Sequence, residues 1–264
     1  MKRIICAAVA LALASCIAFP ACAADETKKV DDILAKMPAR ARSEISIGDK
    51  AEFVKKLNAV LEFEKAEAEE SGDLPLLYLL DKKNGKLSEK YEPKNLVPVD
   101  NPTLYKVNKS GMTIRRDVKT HLEDMVRAWD ADTGRALFLV SSAYRSYKYQ
   151  NWLFNHYVET DGLSEAERYS ARPGTSQHQL GTAMDFGSIT NDFADTRQGK
   201  WMYENAWKFG WSLSFPKGYE SETGFMWESW HFRYIGIQAC ELQREYFNDI
   251  QQYMLEFIDL WKKS

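Results

Sequence analysis

The stretch TSQHQLGTAMDF, Thr175 to Phe186, places His178 seven residues before Asp185, with Gly181 and Ala183 between them. The chain has four histidines, His121, His156, His178 and His231. A catalytic zinc takes three nitrogen or oxygen side chains and keeps one position open. His178 and Asp185 offer two such donors, and a glycine-containing turn between them can aim both at one point. His231, in WESWHFRY, offers a third on a predicted strand among aromatics. Taken alone, these residues leave a second reading open: a polar loop running into a strand, with an ordinary hydrogen-bonded strand histidine. Glu228, three residues before His231, changes the weighing. A carboxylate beside a metal but not bound to it can take a proton from an attacking water and pass it to a leaving amine. By itself, Glu228 reads equally as a rim residue paired with a lysine or arginine.

These residues need a scaffold, and the hydrophobic pattern outlines one. IRRDVKTHLEDMVRAWDADTG sets Val118, Leu122, Met125, Val126 and Trp129 on one helical face, with Gly134 as the stop. YKYQNWLFNHYVE and GKWMYENAWKFGW read as helices, the second stopped by Gly210, and GIQACELQREYFNDIQQYMLEFIDLWKK as a long C-terminal helical region. LPLLYLL (Leu74 to Leu80) reads as a strand followed by an Asn84-Gly85 turn, and YEPKNLVPVDNP as extended chain. ALFLVSSAY, GTAMDF, WSLSF and SWHFRYI read as strands, with Ala183 and Asp185 on one face. Asp25 to Gly72, rich in Lys, Glu and Ala, predicts one or two surface helices, either a spacer or a packed subdomain. Helices mixed with a small, mostly antiparallel sheet define an α+β class. No internal repeat or low-complexity segment is visible.

Of 264 residues, 45% are hydrophobic and 13% aromatic, which points to a packed domain rather than disorder. A net charge of -3 offers no basic field for nucleic acid. Lys2 and Arg3, the apolar run Ile4 to Ala14, and Ala21-Cys22-Ala23 read as a signal peptide over residues 1–23, cut near Ala23 or Ala24. LASC, Leu13 to Cys16, supports a competing reading: lipoprotein processing that leaves a lipid anchor on Cys16. Both place the protein outside the cytoplasm, in the periplasm or cell envelope. Three of the four cysteines lie in this leader, so no disulfide framework is expected and Cys240 reads as a buried apolar residue.

Three segments in order carry a resemblance. SSAYRSYKYQ fits Ser-x-Tyr-Arg-Ser-x-x-x-Gln, SQHQLGTAMD fits Ser-x-His-x-x-Gly-x-Ala-x-Asp, and ESWHFRY fits Glu-x-Trp-His-x-Arg-Tyr. Over about Leu96 to Gly236 the chain resembles the zinc D-alanyl-D-alanine carboxypeptidases of the VanY type, in the hedgehog/DD-peptidase fold superfamily. Ser229 stands where that family commonly has proline. The resemblance implies a zinc enzyme that removes the last D-alanine from peptidoglycan stem peptides. It implies His178, Asp185 and His231 as zinc ligands, Glu228 as general base, and Arg145 as the clamp on the substrate's terminal carboxylate. Ser176 and Gln150 match positions lining the substrate end. The resemblance does not cover the N-terminal helical part; the pattern along the chain divides it into a helical N-terminal segment, residues 24–72, and a carboxypeptidase domain, residues 73–264. Two alternatives stay open: an L,D-carboxypeptidase acting on tetrapeptides, and a zinc-stabilised module that binds cell-wall peptides without cutting them. Trp227 and Trp230 read as cleft walls or core, and His121 and His156 as structural. A serine peptidase is disfavoured: SFPK (Ser214 to Lys217) fits Ser-x-x-Lys, but Pro216 sits in a glycine-flanked loop and no Lys-Thr-Gly follows.

Overall fold

The computed structural model describes residues 19–264, with side chains from Asp25 onward. Lys2, Arg3, the apolar run to Ala14, and Cys16, on which the leader and anchor readings rest, lie outside the described residues. Three helices open the chain: α1 (Phe19–Leu34), α2 (Ala39–Glu44) and α3 (Lys50–Ser71). Next come β1 (Leu96–Pro98), β2 (Lys106–Val107), β3 (Thr113–Arg115), α4 (Arg116–Thr133), β4 (Leu139–Ser142), α5 (Tyr147–Asp161) and α6 (Leu163–Tyr169). The remainder supplies β5 (Ala183–Phe186), α7 (Arg197–Asn205), β6 (Trp211–Leu213), α8 (Glu220–Thr223), β7 (His231–Tyr234), α9 (Ile237–Tyr246) and α10 (Gln251–Lys263).

Five strands pair in the order β2-β4-β5-β7-β6. All neighbours are antiparallel except β2 and β4, which run parallel. The α4 stripe behaves as its spacing demands: Val118, Leu122, Met125, Val126 and Trp129 are all buried. Burying each of these side chains contributes roughly 1.5 to 3 kcal/mol. They pack with Met184, Phe186, Trp211 and Phe232 of the sheet and with Phe138 just ahead of β4, so one face of the sheet is clamped by a helix. Gly134 ends α4 in the left-handed conformation at φ 68°, its N–H bonded to Asp130 O.

A second apolar cluster joins the two ends of the chain. Val30, Ile33, Phe53, Leu57 and Val60 of α1 and α3 pack with Tyr253, Met254, Phe257 and Ile258 of α10 and with Cys240 of α9. The N-terminal helices therefore pack on the body rather than standing off it. Asp49 starts α3 by accepting the N–H groups of Ala51 and Glu52.

The structure corrects the sequence at two places. Leu74 to Leu80 forms no strand. Its carbonyls are instead taken by buried guanidinium groups: Arg115 Nη1 donates to Leu74 O, and Arg233 Nη2 donates to Leu76 O and Tyr78 O. Side-chain donors on β3 and β7 replace the ladder a strand would need. The C-terminal helical region is also two helices. Asn248 and Asp249, at φ 53° and 58°, turn the chain between α9 and α10.

Candidate metal centre and substrate cleft

β5 and β7 are neighbours in register, with Asp185 opposite His231. Directly opposed residues on an antiparallel pair share a face, so the sheet alone brings this carboxylate and this imidazole together. His178 arrives from a 3₁₀ turn, Gln177–Leu180, packed ahead of β5. Gly181 ends that turn at φ 70°, where a Cβ would also come within 3.1 Å of Arg115 and Pro93 side chains. The chain can therefore swing from the turn into β5 within two residues and deliver both donors to one place.

One potential ligand atom from each of His178, Asp185 and His231 lies within 4.8 Å of the others, and all three residues are buried. His178 Nδ1 donates to Ala143 O at 2.7 Å, which leaves Nε2 with its lone pair. That lone pair faces Asp185 Oδ2 at 3.3 Å, and Nε2 has no hydrogen-bond partner. Two acceptors facing each other in a buried site are unfavourable unless a cation sits between them. His231 Nδ1 lies 3.1 Å from Asp185 Oδ1 and 3.6 Å from Glu228 Oε2. The donor set is nitrogen, oxygen and nitrogen, and it fits a metal ion.

The electrostatics agree. Burial, then the nearby Arg145, push the His178 imidazole down to about 4, so it is neutral and ready to ligate at physiological pH. Glu228 goes the other way: burial and the Asp185 charge push it well above the ordinary glutamate value.

All seven sequence-predicted residues line one cleft of about 400 Å³: Arg145, Gln150, Ser176, His178, Asp185, Glu228 and His231. Arg145 Nη2 stands 3.5 Å from Asp185 Oδ2, and its Nε is buried without a partner. Gln150 holds the guanidinium, accepting from Nη1 at 3.3 Å while its own amide donates to Ala171 O at 2.8 Å. Ser176 is buried in the same wall. Trp230 lines the cleft. Trp227 does not: its indole reaches Tyr203 and lies under Lys217. His121 stacks on Tyr234, and exposed His156 stacks on Trp152. Ser214 is buried among amides, with Ser214 Oγ bonded to Gln177 and Gln251, so it has no base beside it. Sequence reasoning missed Tyr149, Leu153 and Tyr157 of α5 and Phe215, Phe225 and Met226, which complete the walls. A one-turn spacing on α5 was the available signal for the first three, but it reads equally as core packing.

The geometry yields a stability prediction. Glu228 binds its proton more tightly in the folded protein than in the unfolded chain. Its folded state is favoured at low pH, and that advantage is lost as pH rises from the ordinary glutamate value through the raised one. In metal-free protein, Glu228→Gln is therefore expected to be more stable than wild type at pH 8, with the gain shrinking towards pH 4. Urea unfolding in chelator at the two pH values measures this. A gain that grows on acidification would refute the raised carboxyl.

Comparison with known proteins follows the same lines. Residues 111–237 match the VanY family model, described as D-alanyl-D-alanine carboxypeptidase. Over 169 residues the chain is 34% identical to the putative carboxypeptidase YodJ of Bacillus subtilis, covering 62% of this chain and 61% of that one. It spans 45% and 52% of two D-alanyl-D-alanine carboxypeptidases from Enterococcus faecium and Enterococcus faecalis, so much of these relatives' length has no counterpart here. The solved LdcB LD-carboxypeptidase superposes with a TM-score of 0.61 at 30% identity, over 70% of this chain and 86% of that one. A VanY D,D-pentapeptidase variant from a VanB-type resistance cassette, solved with Zn(II), superposes with a TM-score of 0.56 at 26% identity, over 68% and 98%. Fold and site together define a carboxypeptidase scaffold with a buried His-Asp-His cluster. Residues 111–237 form a VanY-type carboxypeptidase domain.

Proposed function

We propose that the protein is a zinc-dependent exopeptidase that removes the C-terminal D-alanine from peptidoglycan stem peptides. The observation that carries this is the grouping of a metal-competent His178–Asp185–His231 cluster, the buried Glu228 carboxyl and the Arg145 guanidinium in one cleft. His178, Asp185 and His231 would hold zinc, a proposal also supported by the Zn(II) form of the structural relative. Bound there, zinc supplies a Lewis acid that polarises the scissile carbonyl and makes water easier to deprotonate.

The chain's own groups do the rest. Arg145 presents a guanidinium fork, oriented by Gln150, to the substrate's terminal carboxylate. Its 3.5 Å approach to Asp185 supports a clamp set beside the proposed metal ligands. Only the bond next to a free C-terminus can then reach the reacting position. Glu228 accepts the proton of the attacking water and returns it to the leaving amine. Its raised proton affinity suits both halves of that transfer. Ser176 lines the substrate end of the cleft.

A second reading is L,D-carboxypeptidase activity on tetrapeptides, favoured by the likeness to the LdcB LD-carboxypeptidase. Mass spectrometry of purified tetra- and pentapeptide muropeptides after incubation decides between the two: loss of alanine from the pentapeptide supports the D,D reading, and loss from the tetrapeptide only supports the L,D one. Zinc bound with neither product formed returns the protein to a non-hydrolytic peptide-binding module. Work on cell-wall peptides agrees with the proposed export, by a cleaved signal peptide or by an anchor at Cys16.

Arg145→Ala is expected to lower kcat/KM on free-ended peptides by about 10²-fold, the scale for losing one partner of a buried charge pair. A C-terminally amidated peptide is expected to be poor already for wild type. Equal cleavage of acid and amide removes the exopeptidase claim.

A further inference from the structure

Gln177, between Ser176 and His178, has no part in the chemistry above. It is 6% exposed and its amide oxygen is fully engaged. Gln177 Oε1 lies 3.1 Å from His231 Nε2 and 2.8 Å from Ser214 Oγ. A carbonyl oxygen has two lone pairs, so one oxygen can accept from both donors. Ser214 Oγ stands 3.2 Å from Gln251 Oε1 at the first residue of α10, and Gln251 Nε2 reaches Ser212 O at 3.4 Å. The string of polar groups therefore runs from a histidine of the metal cluster to the last helix, beyond the residues 111–237 that match the family model.

The two ring nitrogens of His231 have different surroundings. Nδ1 faces the carboxylates of Asp185 and Glu228, while Nε2 faces only the Gln177 oxygen. An imidazole offers Nδ1 to a metal only when its proton sits on Nε2, and an acceptor at Nε2 fixes that tautomer and the ring's orientation. His178 has the corresponding arrangement, with Ala143 O as its acceptor. We propose that Gln177 is the positioning residue for His231: its side-chain oxygen, held in place by the Ser214 hydroxyl, sets the ring to present Nδ1 to the metal. This rests on the metal reading of the site. A neutral amide does so without adding a third carboxylate beside Asp185 and Glu228.

The test is zinc affinity, measured on the full chain by competition with a chromogenic chelator. Gln177→Met keeps the volume and removes the acceptor. It is expected to weaken zinc binding by about 10- to 100-fold, the usual cost of losing a ligand's outer hydrogen bond, and melting of the metal-free protein reports separately the cost of leaving the buried His231 and Ser214 donors unpaired. Gln177→Glu keeps an acceptor and is expected to bind zinc as tightly as wild type or more tightly, whereas a packing role would leave the affinity of Gln177→Met unchanged. Unchanged affinity in Gln177→Met overturns the proposal, and so does a tenfold loss in Gln177→Glu. If the methionine variant does not fold, the glutamate variant decides alone. Wild-type protein that binds no zinc would instead refute the metal reading itself.

Discussion

Replacing His231 by alanine is expected to remove metal and activity together. His231 gives one of only three donors in the cluster, and its Nδ1 lies 3.1 Å from the Asp185 carboxylate. Without it, Asp185 and His178 remain as two donors, too few to hold zinc tightly in a four-coordinate site. Metal catalysis is worth several kcal/mol in the transition state, so turnover should fall by roughly 10³-fold or more. The zinc-dependent part of stability should go as well. A metal present at about 100 times its Kd stabilises the folded state by roughly 2.7 kcal/mol, and that increment is expected in wild type only. Zinc content by atomic absorption and D-alanine release on the same preparation provide the check. A His231→Ala variant that keeps stoichiometric zinc and turnover would dismiss this histidine as a ligand, and with it the assigned metal centre.

Glu228→Gln is expected to separate the two losses. Glutamine keeps the size of glutamate but cannot accept a proton. Glu228 lies 3.6 Å from His231 Nδ1, beside the cluster, and the cluster is complete without it. Zinc content should therefore survive, while kcat falls by about 10²- to 10⁴-fold, the range for general acid–base catalysis. The pH profile has a fixed sign. A base that must be ionised loses activity as pH falls through its own titration. That acid limb belongs to wild type and should be missing from the residual rate of the variant. Loss of zinc in Glu228→Gln would make Glu228 a ligand, and full activity with zinc retained would return it to the rim.

Much of this site was legible in the residues. His178 and Asp185 sit in one short motif, and Glu228 and His231 in another, because local spacing is what carries donors on a turn and on a strand. The α4 stripe was equally plain, since a period near 3.6 leaves a direct trace in sequence. Other features have no local trace. That Asp185 faces His231 is a matter of strand register, set between segments 46 residues apart. Which ring nitrogen of each histidine is free depends on Ala143 O and Gln177 Oε1, neither of which a motif singles out. Gln150 looked like a substrate-lining residue, and the folded chain shows it also holding Arg145. Leu74 to Leu80 had the composition of a strand, yet its carbonyls are claimed by Arg115 of β3 and Arg233 of β7. The charged helices of the N-terminal segment bury Phe53 and Leu57 against α10, at the other end of the chain. The sequence alone determined which donor residues the site holds, because donor type and short spacing are local properties. Tertiary structure alone decided how the donors are aimed and braced, because partner choice between distant segments depends on packing and burial that no single segment contains.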